Sequence, residues 1–133
     1  MSLAESLTTF LEGNANITAL LASADAIWAN ATPQDHDGYP AITYEISGDI
    51  QQGLLEGSVN ELAIASVRLN IWDHNFKTCN DIATTVKSEL NSYRGVFGAN
   101  TAEHIIKENE FSTPQEDDTG LNRIVLEFQI AYH

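Results

Sequence analysis

The chain has 133 residues, of which 43% are hydrophobic, and its 19 acidic and six basic residues give a formal net charge of −13. This length fits one domain with one core, so we predict a single domain over residues 1–133. The acidic excess excludes a surface that grips nucleic-acid phosphates or anionic lipids. It leaves open whether the charge serves solubility alone or lines a passage that DNA crosses without adhering.

The first two elements are predicted to be helical, and an extended segment and a loop follow them. Apolar residues recur at helical spacing between residues 3 and 11, and Gly13 ends the pattern, so we expect a short amphipathic N-terminal helix. A further turn or two of helix is predicted over Ile17 to Leu21. Ala26 to Trp28 indicates a brief extended segment. Residues Pro33 to Pro40 collect turn-forming side chains and predict a loop.

Two strands are predicted next. Ile42, Tyr44 and Ile46 alternate with polar residues, as in a strand with one buried face. Residues 48–57 are polar and contain glycine, which predicts a connection between strands. The run from Glu61 to Trp72 indicates a long strand, but its apolar positions change phase. A bulge near Ala65 and Ser66 would account for the change.

The second half of the chain indicates a helix and two more strands. The stretch from Asn75 to Tyr93 has helical spacing and is the predicted central helix. Its apolar stripe comprises Phe76, Cys79, Ile82, Ala83, Val86 and Leu90. A strand with imperfect alternation is expected near His104, Ile106 and Phe111. The final strand alternates strictly from Ile124 to Tyr132.

This order of elements predicts an α+β fold. We expect a mainly antiparallel, four- to five-stranded sheet, with a short N-terminal helix and one long central helix packed on one face.

The residues that could carry chemistry do not form a recognised motif. Cys79 lies on the apolar stripe, where a thiol is a packed hydrophobe with a raised pKa. Motifs for nucleotide binding and for nucleophilic catalysis are missing from the sequence. We therefore predict that the protein is not an enzyme and needs neither cofactor nor metal. A less favoured alternative is a metal-dependent hydrolase, whose ligands would be Asp35, His36, Asp37, Asp73 and His74.

The connection after the first long strand carries the candidate contact residues. Leu54 and Leu55 stand in a polar segment, where apolar side chains gain nothing unless they are covered. They either contact a partner or fold back on their own domain. The candidates for contacts with a neighbouring copy or with a pore are Asp49, Gln51, Gln52, Leu54, Leu55 and Glu56.

The order of several segments resembles a known family. The chain contains ITALLASADAIWAN, a loop with proline, YPAITYEISGD, ASVRLNIWDH, the helix NFKTCNDIATTVKSEL and the terminal NRIVLEFQIAYH. In this order they resemble the tail-terminator, or tail-completion, proteins of long-tailed bacteriophages and prophages. The resemblance spans nearly the whole chain.

The resemblance implies a structural role in the virion. Members of that family form rings, commonly of six copies, that cap the tail tube and join it to the head. The implied partners are copies of the chain itself, a tail-tube protein and a head-connector protein. DNA would only pass through the lumen, no membrane would be involved, and exposed sheet edges would pair or pack between subunits. The implied location is the tail or neck of the virion, after assembly in the bacterial cytoplasm. The alternative is a monomeric protein-binding adaptor of a phage-like apparatus.

Overall fold

A computed structural model describes residues 3–21, 26–29, 39–52, 62–117 and 120–133. Its helices are α1 (Leu3–Glu12), α2 (Ala15–Thr18) and α3 (Phe76–Leu90). Its strands are β1 (Ile27–Ala29), β2 (Ala41–Gln52), β3 (Leu62–Asp73), β4 (Gly95–Phe97), β5 (Asn100–Thr113) and β6 (Asn122–Tyr132).

The two N-terminal helices follow from apolar spacing and from a cap. In α1, Leu3, Leu7 and Leu11 are buried, so the predicted amphipathic helix is confirmed. Helix α2 begins after Asn14, whose side chain accepts hydrogen bonds from the N–H groups of Asn16 and Ile17. Because this cap satisfies N–H groups that a helix start leaves unpaired, α2 begins before the predicted turn at residues 17–21.

Helix α3 is capped at both ends by the chain around it. The Asn75 side chain accepts the N–H of Thr78, and the backbone of Asn91 is extended, so the helix ends at Leu90. Residues Cys79, Ile82, Ala83, Val86 and Leu90 are buried, as the stripe predicted. Phe76, which was predicted on the same stripe, is half exposed.

The predicted fold class is wrong. The described residues form a six-stranded mixed sheet in the order β1-β2-β3-β6-β5-β4, curved into a half-barrel, with three short helices. β1 is parallel to β2, and the other neighbours are antiparallel. The extended segment predicted at Ala26 to Trp28 corresponds to β1, but it was not counted as a strand of the sheet, and β4 was missed because three residues are too few to show a period of two. It also overstated the central helix, which ends three residues before Tyr93.

The bulge that was predicted in β3 lies in β2 instead. Odd-numbered residues of β3 face the core from Ala63 to Asp73 without interruption, and the pairing of β3 with β6 is regular. The register with β2 shifts between Ser47 and Ile50, opposite Ala65, so the extra residue lies in β2. The apolar phase of β3 changes only because small alanines occupy two core positions and Ile64 lies on the other face.

One core joins the helices to one face of the sheet. The largest fully buried side chains include Phe97, Phe128, Leu69, Ile71 and Ile105. The opposite face of the sheet carries mostly polar side chains. The sheet therefore has a face covered by helices and a polar face.

Candidate assembly surface

One long edge of the sheet belongs to β2. Strand β1 pairs with β2 only from Ile42 to Tyr44, whereas β3 pairs with β2 from Ala41 to Gln52 apart from the bulge between Ser47 and Ile50. In the part of the chain that the structure describes, no strand pairs with Glu45–Gln52 on the side away from β3. An edge of this kind presents backbone N–H and C=O groups to any strand that approaches.

A second long edge belongs to β5, on the other side of the sheet. Strand β4 pairs with β5 only from Asn100 to Ala102. Among the described residues, no strand pairs with residues 103–113 on the side away from β6. The two edges lie at opposite corners, because β1 covers the start of β2 and β4 covers the start of β5.

The chain itself occupies part of the β5 edge. The N–H of Ser92 donates to the carbonyl of Ile105 at 2.9 Å, and the N–H of Lys107 donates to Oδ1 of Asn91 at 3.0 Å. The turn after α3 therefore covers the edge as far as Lys107. The stretch from Glu108 to Thr113 is the longest one that neither this turn nor a described strand covers.

A groove runs beside this open stretch, on the face of the sheet that the helices cover. It has a volume of about 550 Å³, and its lining includes Phe76, Asn80, Ser112 and Ile124. Phe76 is 50% exposed and Phe111, in the open stretch itself, is 39% exposed. Large aromatic side chains at a surface are typical of contact sites, because covering them contributes hydrophobic stabilisation.

An ion pair between Lys87 of α3 and Glu110 holds the middle of β5 against the helix, and Lys107 of β5 joins it. The Nζ of Lys87 lies 2.9 Å from Oε1 of Glu110, and the Nζ of Lys107 lies 3.2 Å from the same oxygen. The hydrogen bond from Lys87 is the main reason that the pKa of Glu110 is lowered, and Lys107 adds to the effect. This cluster fixes β5 next to the helix, so the open edge has a defined backbone.

The polar face contains a depression of about 780 Å³ lined by Glu45, Arg68, Glu108 and Glu127, among others. The Nη2 of Arg68 lies 3.1 Å from Oε2 of Glu127, and Nδ2 of Asn70 donates to Oε1 of Glu45 at 3.2 Å. Carboxylates outnumber the single guanidinium in this lining. The depression therefore has an acidic excess, in keeping with the charge of the chain.

Three of the six predicted contact residues lie in β2, and the other three lie outside the described residues. Asp49, Gln51 and Gln52 lie in β2, within its open edge, rather than in a loop. The predicted connection at 48–57 was wrong over residues 48–52, because β2 continues through its bulge. Leu54, Leu55 and Glu56 lie outside the described residues.

Of the five proposed metal ligands, two lie in the described part of the chain. Asp35, His36 and Asp37 lie outside the described residues. Asp73 accepts the N–H of Asn75 at 3.0 Å and so stabilises the turn before α3, while the His74 ring packs edge-on against Tyr39. Within the described ranges, no three His, Cys, Asp or Glu residues converge in a metal-binding group.

Cys79 is a core residue, as predicted. It is fully buried, and its Sγ lies 3.7 Å from the carbonyl oxygens of Ile71 and Asn122. Burial, assisted by the nearby Asp73, raises the pKa of the thiol to about 11. None of the described helices is both long and apolar enough to cross a lipid bilayer.

The fold occurs in a gene transfer agent. A chain from the virion of a native gene transfer agent particle superposes with a TM-score of 0.69 over 98% of this chain and 91% of that chain. The two sequences are 14% identical, so the likeness shows a shared fold. The chain matches no family model and no curated protein sequence.

Sequence reasoning missed the open stretch of β5 and the exposed Phe76. The alternation in β5 is interrupted twice, between Ala102 and His104 and between Lys107 and Asn109. These irregularities place Ile105 in the core instead of Ile106 and disguise a strand of 14 residues. The sequence did hold one signal for the exposure of Phe76. This residue lies in the first turn of α3, just after β3 ends at Asp73.

Proposed function

We propose that this chain is a structural protein of a phage-like virion, and more specifically a tail terminator that forms a ring on the tail tube. The fold shared with a chain of a gene transfer agent virion supports the general role. The two open sheet edges support assembly from copies, because a chain with one edge on each side can pair on both sides with identical neighbours. This pair of edges is the observation that carries the proposal.

The function requires interfaces and no catalysis. Cys79 is buried with a raised pKa, and Asp73 serves the turn before α3, so neither is arranged for turnover. We therefore propose a non-enzymatic protein without cofactor. Its proposed partners are its own copies, six in a ring, together with a tail-tube protein and a head-connector protein.

The polar face fits a lumen that DNA crosses. If the helices lie on the outside of the ring, the depression with Glu45, Glu108 and Glu127 faces inward. Negative charge on that wall repels the DNA backbone and so prevents adhesion. Assembly would take place in the bacterial cytoplasm, and the mature protein would lie in the neck of the virion.

The proposal is tested with tail tubes. Purified chain is added to polymerising tubes of the matching tail-tube protein, and the tube ends are viewed by negative-stain electron microscopy. We expect rings at tube ends and arrested elongation. Tubes that grow at an unchanged rate, with bare ends, would contradict a terminator role. A chain that binds tubes only as a monomer would favour the adaptor.

A further inference from the structure

We propose that copies of this chain join head to tail by antiparallel pairing of the open stretch of β5 in one copy with the open stretch of β2 in the next. This inference rests on the proposed ring and specifies its interface. The open stretches are Glu108–Thr113 in β5 and Glu45–Gln52 in β2.

The strand directions permit this pairing. From β2 to β5 the sheet passes through β3 and β6, and each step is antiparallel, so β5 runs opposite to β2. In a ring whose axis runs roughly along the strands, the rotation that carries one copy onto the next keeps the sense of each strand along that axis. The β2 strand of the next copy therefore meets β5 in antiparallel orientation, with the helices of both copies on the same side.

The free stretches limit the register. On β5, the turn after α3 occupies the edge up to Lys107, so an incoming strand must lie beside residues 108–113. On β2, β1 covers the edge up to Tyr44, so the first available residue is Glu45. The pairing that begins at Glu45, the first available residue, and at Thr113, the last residue of β5, places Ser47 opposite Phe111.

This register keeps the two faces of the sheet separate. In β2, Glu45 and Ser47 lie on the polar face, opposite Arg68 and Ser66. In β5, Phe111 pairs with Val125 and lies on the polar face as well, beside Asn109, which pairs with Glu127. A shift by one residue would exchange the faces, whereas the proposed register preserves them.

In this register, an isoleucine of the incoming strand lies beside the groove on the face covered by helices. With Ser47 opposite Phe111, Ile46 of the incoming strand lies opposite Ser112 on the face covered by helices. That position borders the groove lined by Phe76 and Ile124. Burying the exposed Phe76 there adds hydrophobic stabilisation to the backbone hydrogen bonds.

The register also gives the stagger that a closed sheet requires. Within one copy, Ser47 lies level with Ser66, and Phe111 lies level with Asn70 through Val125. Neighbouring copies are thus offset by roughly four residues over four long strands, or about one residue per strand. With a rise of about 3.3 Å and a spacing of about 4.8 Å, the strands tilt by about 35°, which lies in the range of closed barrels.

The test uses disulfide cross-links between copies. The variant S47C/F111C carries both halves of the proposed contact at opposite edges of one sheet, so its two new thiols cannot join within one chain. The native Cys79 does not compete, because it is buried. We expect oxidation to give a ladder of covalent oligomers that ends at the copy number of the ring, whereas S47C alone and F111C alone give none.

Two further variants check the register. S47C/I106C tests pairing without the stagger, and S47C/S112C tests contact across the two faces, so neither should give a ladder. A ladder from S47C/I106C, a dimer from either single variant, or no ladder from S47C/F111C in rings verified by light scattering would overturn the pairing and leave the ring function standing. A chain that remains monomeric under all conditions, including with tail tubes, would overturn both.

Discussion

Among the described glycines, Gly98 is the one where an added methyl group meets the closest contact. Its φ is +61°, and a Cβ added there would lie 2.6 Å from Cα of Ser6 and 2.9 Å from Cβ of Ser6. The left-handed conformation costs an alanine about 1 to 2 kcal/mol. Because Ser6 Cα is a backbone atom, α1 must also move, which costs roughly 1 to 3 kcal/mol for overpacking. It also strains the 2.8 Å hydrogen bond from Asn100 to Ser6.

We therefore expect G98A to lower the free energy of unfolding by about 3 kcal/mol, measured by urea denaturation followed by circular dichroism. Gly120 supplies the matched control. Its φ is +70°, but among the described residues the one atom within 4 Å of an added Cβ is Nδ1 of His74, at 3.8 Å. G120A should thus lose only the conformational cost of about 1 to 2 kcal/mol. Equal losses for the two variants would refute the close approach of α1 to the β4–β5 turn.

Three other predictions concern the helix α3 and its contacts. K87M should lose about 1 kcal/mol at pH 7 relative to K77M, whose lysine is exposed, and thermal melts across pH should show this difference shrinking in acid. The folded pKa of Glu110 is lowered from 4.5, so its stabilisation is present above that value and is lost as the pH falls through the lowered one. N75A should lose about 1 kcal/mol by removing the N-cap, as measured by urea denaturation, and N75D should retain most of the stability. Cys79 should resist a thiol reagent at pH 8 until urea unfolds the chain; rapid labelling of the native protein would contradict its burial.

The sequence predicted elements whose pattern is local and unbroken. Strand β6 shows strict alternation from Ile124 onward, and α3 shows a continuous buried stripe from Cys79 to Leu90, so both elements were found, although the helix was predicted three residues too long at its end. The helix α1 was found for the same reason. In each case one face is buried against the core along the full element, and the hydrophobic period survives in the sequence.

The rest was hidden by irregularities of the backbone. Strand β2 was cut short because Gly48 resembles a turn, although the strand continues through a bulge. Strand β5 contains two irregularities that shift its phase, and β4 is too short to show a period. Strand β1 was predicted only as a brief extended segment, without its parallel pairing to β2. The open edges depend on where short strands end beside long ones, which is a property of pairing. No periodicity in a single sequence records it.

Assembly from identical copies is the central claim, and mass in solution tests it most directly. Multi-angle light scattering should be recorded across a concentration series, alone and with short tail tubes present. We predict a jump from the mass of one chain, 14.6 kDa, to one discrete multiple corresponding to the ring. A mass of 14.6 kDa at every concentration, with none of the chain on the tubes, would contradict it.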